Sequence, residues 1–373
     1  MNNHCAVVLG LGPSGLFLVR QLSKITSNIY AVGRYDDVGM YSKYLKKNKR
    51  YYALTSADLE KVFTEIKDRE GQKPILYICS DQYLSILLEN KEEWDNLIDS
   101  SKADFNTLEI INDKNTVNKY CQKHGVKVPD SLSFTKFKEK PFYPAIIKWV
   151  EKRIETAVNP IGKVKICRSK EEFDAINKTI LESKIQESDL FVQTYIEGNN
   201  DCQFSAGGYY QDGEALANVV VNQIKQYPQG ISAEVITVET QISERIKGIS
   251  RSFAKELNYS GFLEMEYKVD SITNTIYLLD VNPRPWGWVS VLGAVYPDFY
   301  KVLQGKAPQE KRNIAVWKSP IRILIGKKNK QNVEVSMPKG KLEKAYDIKS
   351  RQDLMPSIMI YLMAIRKILR RIE

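Results

Sequence analysis

The chain has 373 residues, of which 43% are hydrophobic and 10% are aromatic. A chain of this size and composition is expected to bury a sizeable core in more than one domain, and its composition is not that of a disordered protein. The net charge of +10 is uneven, because residues 301–373 hold 18 Lys and Arg against 6 Asp and Glu. The basic excess therefore belongs to the C-terminal segment, and the body of the chain is not predicted to bind nucleic acid.

The numbers and positions of the cysteines and histidines limit the kinds of metal site and catalytic site that the chain can form. The five cysteines are scattered without a CxxC pair, which predicts reduced thiols in a cytosolic protein rather than a zinc site or a disulfide framework. The first residues lack a basic stretch, so no signal peptide is predicted. Only two histidines are present, His4 and His124, which disfavours a Ser-His-Asp hydrolase. Any metal is expected to take oxygen ligands, which suits Mg²⁺.

The N-terminal part alternates strand and helix patterns. Strands are predicted at 5–12, 28–32 and 73–79 and a helix at 14–24, an order that is typical of a parallel α/β sheet. The first strand runs into Gly10, Gly12 and Gly15, which have GxGxxG spacing. Two interpretations stay open. We favour a tight strand-to-helix turn that needs small residues; the other is a dinucleotide site in which Arg34 meets the 2′-phosphate of NADP.

The pattern in the middle of the chain predicts both helices and strands, including two β-hairpins. A loop is predicted at 226–230. The expected elements are helices at 116–124 and 243–257, strands at 144–149 and 191–196, a hairpin at 205–222 turning at 211–213, and a hairpin at 262–282 turning at 270–274.

The second hairpin carries the most informative polar residues. Glu264 and Glu266 lie two apart on its first strand, and Asp280 and Asn282 lie two apart on its second. Because side chains alternate along a strand, antiparallel pairing can bring Glu266, Asp280 and Asn282 onto one face. Such a face suits Mg²⁺ that bridges phosphates; the alternative is a polar, solvent-facing side of the sheet. Arg284 follows directly, as a cation for a carboxylate or a transferring phosphoryl group.

These residues, with the Pro-Arg-Pro-Trp-Gly run at 283–287, resemble the metal-binding end of the ATP-grasp superfamily. The resemblance extends over residues 5–300. It implies an α/β and α+β architecture with three parts. They are a pre-ATP-grasp parallel α/β domain (1–110), an ATP-grasp domain (111–305) with a small lid subdomain (111–195) and a metal-binding subdomain (196–305), and a basic C-terminal segment (306–373).

The same resemblance implies roles for single residues. Lys148 and Arg284 are expected to act on the transferring phosphoryl group, and residues 225–232 to close over the phosphates. Asp81 and the turn at 12–14 are candidates for the substrate side. The expected nucleotide-binding residues are Lys114, Lys148, Gln193, Tyr195, Ile196, Asp201 and Lys225.

The implied activity is that of a carboxylate–amine or carboxylate–thiol ligase. It would use ATP with Mg²⁺ or Mn²⁺, pass through an acyl phosphate and release ADP and phosphate. Similar uncharacterised ligases with a pre-ATP-grasp domain suggest a role in cell-surface polysaccharide or peptidoglycan precursor metabolism. Two alternatives remain: an NADP-dependent oxidoreductase built on the turn at 10–15, and a non-catalytic ATP-binding module.

The last eighteen residues, 356–373, predict an amphipathic helix with a basic end. Its apolar positions are Ile358, Leu362, Ile365, Leu369 and Ile372, and its cations are Arg366, Lys367, Arg370 and Arg371. The apolar stretch is too short to span a bilayer. It is predicted to dock on its own domain or on a dimer partner, or to lie on an anionic membrane at the inner face.

Overall fold

The computed structural model describes residues 5–369 apart from 103, 151–160, 163, 184, 312 and 327–341, and the side chains of 112, 114, 115, 364 and 366–369 lie outside it. Within the described residues the chain forms three β-sheets, of four, four and seven strands.

The first sheet is parallel, with strand order β3-β2-β1-β4. Its strands are β1 Ala6–Leu9, β2 Ile29–Val32, β3 Arg50–Tyr51 and β4 Ile75–Ile78. The helices that accompany it are α1 Pro13–Leu22, α2 Ser56–Glu70, α3 Asp81–Glu89, α4 Lys91–Trp94 and α5 Phe105–Asn112. β1 and β2 are buried along their whole length, as expected of parallel strands covered on both faces. The predicted parallel α/β sheet is confirmed.

Close packing explains the glycine turn after β1. Gly10 has a φ of 87°, and a Cβ atom at Gly15 would lie 2.0 Å from the Gly10 carbonyl oxygen. The carboxylate of Asp37 accepts hydrogen bonds from the Leu11 and Arg34 amides, at 3.1 and 2.9 Å. The Arg34 side chain forms an exposed ion pair with Asp36. Gly10 and Gly15 are therefore required by the turn itself, which supports the interpretation that we favoured.

The second sheet, which we call the lid sheet, is antiparallel with order β5-β8-β6-β7. Its strands are β5 Ser131–Ser133, β6 Ala145–Trp149, β7 Val164–Cys167 and β8 Leu190–Thr194. Its helices are α7 Phe134–Glu139 and α8 Lys170–Leu181, and α6 Lys114–Lys123 precedes it in the chain. Ile147 and Val192 pack against Phe173 of α8. Because side chains alternate, Lys148 and Gln193 belong to the opposite face.

The third sheet has the order β13-β12-β9-β10-β11-β14-β15 and is antiparallel except for its last pair. Its strands are β9 Gln203–Gln211, β10 Glu214–Gln226, β11 Ser232–Thr237, β12 Gly261–Val269, β13 Ile276–Asn282, β14 Ala315–Lys318 and β15 Glu343–Tyr346. Helices α9 Gln241–Glu256, α10 Val291–Val295 and α11 Pro320–Ile325 complete this part. Both predicted hairpins, β9–β10 and β12–β13, are confirmed.

Helix α9 determines which face of the third sheet is available to a ligand. The helix begins at a capping box made by Thr240 and Ser243. Its Ile246 and Phe253 belong to the same core as Leu263 and Met265 of β12. The side chains at even positions of β12, such as those of Glu264 and Glu266, therefore point away from the helix.

The C-terminal segment is attached to the first domain. Asp353 is completely buried and accepts hydrogen bonds from Arg20 Nε (3.0 Å), Ser42 Oγ (2.8 Å) and the Lys43 amide (3.0 Å). We call this network the Asp353 clamp. It holds the end of the chain against a helix that lies 333 residues earlier.

Helix α12 Met355–Leu369 follows the Asp353 clamp. Ile360 and Met363 pack against Leu16 and Val38, so docking on the chain's own domain is confirmed for this face. The face predicted from the sequence is a different one: its members Ile358, Leu362 and Ile365 are 48%, 53% and 53% exposed. Among the described residues, no helix has the length and apolarity needed to cross a membrane.

Candidate active site

The hairpin of β12 and β13 pairs the four polar residues directly. Glu264 lies opposite Asn282, and Glu266 lies opposite Asp280. Glu264 and Asn282 are 4% and 3% exposed, and Asn282 Nδ2 donates a hydrogen bond of 3.1 Å to Glu264 Oε2. The four side chains therefore form one polar cluster on the face of the sheet away from α9, as the i, i+2 spacing predicts.

Two further polar side chains belong to this face. Ser205 on β9 lies opposite Glu266 on one side and Val221 on the other, and Gln223 follows Val221 by two positions. Both side chains are buried, and Ser205 Oγ and Gln223 Oε1 have no hydrogen-bond partner among the described residues. Since an unsatisfied buried polar atom costs about 1–3 kcal/mol, both atoms are suited to meet a ligand. Sequence reasoning missed them, although the alternation of the first hairpin was the signal for both.

Arg284 connects the acids to the first domain. Its Nε and Nη2 bind the two carboxylate oxygens of Asp81 at 2.6 and 2.5 Å, and Nη1 donates to the Pro285 carbonyl oxygen. Burial opposes the charge of Arg284, but Asp81 first, then Glu264 and Asp280, outweigh it and raise its pKa. The structure thus joins two predicted site residues in a bidentate pair.

The lid sheet contributes Lys148 and Gln193. Lys148 lies opposite Phe191 and Gln193 opposite Ile146, so both side chains are on the sheet face that α8 does not cover. They are diagonal neighbours, roughly 7–8 Å apart across the strands. This spacing suits one residue at the base of a nucleotide and one at its phosphates. Lys114 begins α6, and its side chain lies outside the described part of the chain.

The segment after β8 links the lid sheet to the third sheet. The Tyr195 amide donates to the Pro144 carbonyl oxygen at 3.2 Å, and Ile196 is buried. Lys268 Nζ of β12 lies 4.5 Å from the centre of the Tyr195 ring. Asp201 is exposed in the turn before β9, where its carbonyl oxygen accepts from Asn222 Nδ2 at 2.7 Å.

The length of strand β12 indicates how long a ligand the site can hold. Lys268, Glu266 and Glu264 follow one another on one face, and four residues of a strand span about 13 Å. Lys268 touches the linking segment at Tyr195, whereas Glu264 lies at the Asn282 end of the hairpin. This distance is comparable to the length of an extended adenine nucleotide, so one such molecule can reach from Tyr195 to the acids.

Lys225 pairs with an acidic residue of the neighbouring strand. A β-bulge between Gln223 and Lys225 inserts Ile224, and the extra residue turns Lys225 to the other face of the sheet. There its Nζ lies 3.0 Å from Glu234 Oε2, and Lys318 Nζ lies 2.7 Å from Glu234 Oε1. The expected contact of Lys225 with the nucleotide therefore stays a prediction, for a side chain that pairs with Glu234 in this structure.

The predicted closing loop at 225–232 also differs. Strands β10 and β11 extend almost to each other, and only residues 227–231 turn between them. The Tyr227 amide donates to the Ile231 carbonyl oxygen at 2.9 Å, and the Gly230 amide donates to Gln226 Oε1 at 3.1 Å. The segment is a short hairpin turn in which the Tyr227, Gly230 and Ile231 amides all donate hydrogen bonds within the turn.

The donor set fits Mg²⁺. Glu266 and Asp280 supply carboxylate oxygens, and Asn282 places an amide group beside them. No group of three or more His, Cys, Asp or Glu residues in the described ranges is close enough to hold a metal by itself. A cation here needs further oxygens from phosphate and water, which is the coordination that Mg²⁺ prefers.

The sequence of this chain is only distantly similar to those of known proteins. No protein-family profile matches the chain. The D-aspartate ligase of Enterococcus faecium (strain Aus0004) is 22% identical over 228 residues, which are 58% of this chain and 54% of the ligase. The chain thus spans about half the length of this curated relative.

Solved structures resemble the chain over most of its length. The biotin carboxylase domain of Hydrogenobacter thermophilus 2-oxoglutarate carboxylase, in complex with MgADP, ADP and bicarbonate, covers 84% of this chain and 73% of its own at a TM-score of 0.59 and 15% identity. The N5-carboxyaminoimidazole synthase of Aspergillus clavatus, in complex with ADP and 5-aminoimidazole ribonucleotide, covers 85% and 82% at 0.62 and 12%. At these identities the likeness establishes a common fold.

Proposed function

This chain has the ATP-grasp fold preceded by a parallel α/β domain, and we propose that it is an ATP-dependent ligase that joins a carboxylate to an amine, or to a thiol, through an acyl phosphate. The observation that carries the proposal is the polar cluster of Glu264, Glu266, Asp280 and Asn282 on the sheet face away from α9. The NADP alternative has no comparable observation, because packing accounts for the glycine turn.

The chain's own residues suggest where the nucleotide lies. Gln193, Tyr195 and Ile196 would hold the base, Asp201 the ribose, and Lys148, with Lys114, the phosphates. Glu266, Asp280 and Asn282 would hold Mg²⁺, which when bound neutralises charge on the phosphate oxygens. The buried Ser205 Oγ and Gln223 Oε1 lie on the same face and would meet polar atoms of the nucleotide.

The reaction proceeds by two displacements. A carboxylate oxygen attacks the γ-phosphorus, the bond to the bridging oxygen breaks, and ADP leaves. The amine nitrogen then attacks the acyl carbon, phosphate leaves with the bonding electrons, and the nitrogen loses a proton. Lys148 would stabilise charge on the transferring group, and Arg284, held by Asp81, would place positive charge beside the attacking carboxylate.

The carboxylate substrate is suggested by the curated relative. D-aspartate is the first candidate for the activated acid, because that relative is named a D-aspartate ligase. A role in peptidoglycan or cell-surface polysaccharide precursor metabolism, in the cytoplasm, would accord with such a substrate. The exposed face of α12, with the basic residues beyond it, would then contact an anionic membrane surface at the inner face, or a second copy of the chain.

The test is phosphate release from Mg-ATP with D-aspartate, other amino acids and uronic acids, each with and without an amine. We expect release to require the carboxylate. Glu266→Gln combined with Asn282→Ala should reduce turnover at least about 100-fold, since both oxygens stabilise charge that develops on the phosphates. Glu60→Gln combined with Asn48→Ala, at exposed positions of the first domain, is the matched control.

The outcomes separate the alternatives. Full turnover in the Glu266→Gln, Asn282→Ala protein would refute the metal assignment. A melting temperature raised by Mg-ATP without any turnover would indicate a non-catalytic ATP-binding module. A melting temperature raised by NADPH, and not by Mg-ATP, would support the oxidoreductase.

A further inference from the structure

A second arginine, Arg322, lies close to the loop that carries Arg284. It belongs to α11, and its Nη1 donates a hydrogen bond of 2.9 Å to the Ser232 carbonyl oxygen at the start of β11. A Cβ atom added to Gly287 would lie 3.9 Å from the same Nη1 and would meet no other described atom within 4 Å. Gly287 itself is exposed, so there is open space beside the guanidinium.

No carboxylate among the described residues is in contact with the Arg322 guanidinium. Burial lowers its pKa, and Asp347 opposes this effect from a distance. Among the described residues, no ion pair of 4 Å or less involves Arg322. The Asp347 carboxylate is engaged elsewhere, since it accepts hydrogen bonds from Ser319 Oγ and the Ile348 amide. The remaining N–H groups of Arg322 are therefore left for an anion.

The contrast with Arg284 gives Arg322 a different task. The two oxygens of Asp81 hold Nε and Nη2 on one edge of the Arg284 guanidinium, and Nη1 donates to the Pro285 carbonyl oxygen. These contacts restrict Arg284 to neutralising nearby charge. Within the described ranges, Arg322 has one backbone contact and no carboxylate partner. A planar guanidinium with unused donors is the side chain best suited to bind a carboxylate in a bidentate manner.

We propose that Arg322 binds the non-reacting carboxylate of an amino-dicarboxylic acid substrate, in the space that Gly287 leaves open. The inference rests on the proposed ligase function and deepens it. An acid such as aspartate has two carboxylates, of which one attacks ATP while the other must be recognised. Neutralising the second carboxylate with a fixed cation selects dicarboxylic acids over their monoamides.

The experiment compares D-aspartate with its two monoamides, D-asparagine and D-isoasparagine, on the full-length protein. One monoamide keeps the reacting carboxylate and loses the one that Arg322 binds. We expect the wild type to prefer D-aspartate over this monoamide by at least about 100-fold in kcat/KM, because a site built for a polar group rejects an analogue that lacks it. Binding of D-aspartate in the presence of Mg-ADP, measured by titration calorimetry, gives a readout that is independent of turnover.

The variants are Arg322→Met, Arg322→Lys and, as a matched exposed control, Arg69→Met. Arg322→Met should remove most of the preference by raising the KM for D-aspartate, with the KM for ATP and the melting temperature little changed. Arg322→Lys should restore part of it, and Arg69→Met should behave as the wild type. If Arg322→Met misfolds, Arg322→Lys still tests the preference, because loss of the bidentate geometry must weaken it.

The results distinguish two failures. If no carboxylate supports ATP turnover in the wild type, the ligase function itself is wrong. The assignment of Arg322 is overturned, while the ligase function stands, in either of two cases. In the first, the wild type is active and Arg322→Met prefers D-aspartate over the monoamide as strongly as the wild type does. In the second, Arg322→Met and Arg322→Lys both bind D-aspartate with wild-type affinity.

Discussion

Cys202 lies beside the segment that we propose binds the nucleotide base. It ends the turn before β9, and a Cβ atom at Gly198 would lie 2.7 Å from its Sγ. Burial raises the pKa of every cysteine thiol in the described part, to about 12 for Cys5 and about 11 for Cys121 and Cys167. Cys202 is the one among the five that is not buried.

We therefore predict that iodoacetamide modifies Cys202 first in the native protein. The rate should rise with pH through pH 9, because a raised pKa leaves little thiolate at neutral pH. Mg-ATP should slow the reaction several-fold by covering the segment that contains Gly198. Peptide mass spectrometry after timed labelling checks both points, and the buried Cys167 serves as the internal control. Equal labelling of Cys202 with and without Mg-ATP would contradict the placement of the base.

The sequence was sufficient for residues whose geometry is local. The positions of Glu266, Asp280 and Asn282 on one face follow from strand alternation and a short turn, which the sequence displays. The bidentate contact of Arg284 with Asp81 joins residues 203 positions apart and needs the tertiary structure. Arg322 gave no signal, because one arginine in a basic segment looks like many others.

Gly207 of β9 leaves room for the Trp286 side chain from the loop after β13. A Cβ atom at Gly207 would lie 2.1 Å from Cζ2 of Trp286, so the indole ring lies directly on the backbone of β9. Gly207→Ala should lower the free energy of unfolding by about 1–3 kcal/mol through overpacking. Gly248→Ala is the matched control in α9, where the added methyl meets nothing within 4 Å and helix propensity favours Ala. Urea unfolding of both variants tests this; equal stability would show that Trp286 moves freely.

The positions of most strands and of both hairpins followed from the apolar pattern, but irregularities within the strands did not. The bulge at Ile224 changes the face of every residue beyond it, and this is why Lys225 pairs with Glu234. A bulge adds one residue to an otherwise alternating run, and the run of polar and apolar residues from 222 to 227 is compatible with either register. The turn at 227–231 agrees with the loop predicted at 226–230.

The exposed face of α12 is a property of the whole molecule, because only the docked helix decides which side faces outwards. We expect the protein to co-sediment with vesicles that contain anionic lipid, and less so at high salt. Replacing Ile358, Leu362 and Ile365 by Ser should abolish co-sedimentation. The control replaces three other exposed residues, Ile110, Leu181 and Ile272, by Ser. If neither set alters vesicle binding but the first changes the sedimentation coefficient, the face joins two copies of the chain.

The Asp353 clamp has a consequence for synthesis. Arg20 and Asp353 are 333 residues apart, so at about 5–20 residues per second the ribosome delivers the aspartate roughly 20–70 s after the arginine. During that interval the first domain can form its parallel sheet but lacks the carboxylate that Arg20 binds in the finished protein. The parallel-sheet domain is therefore completed long after its own residues are made, and its nascent form exposes an unsatisfied arginine to chaperones and proteases.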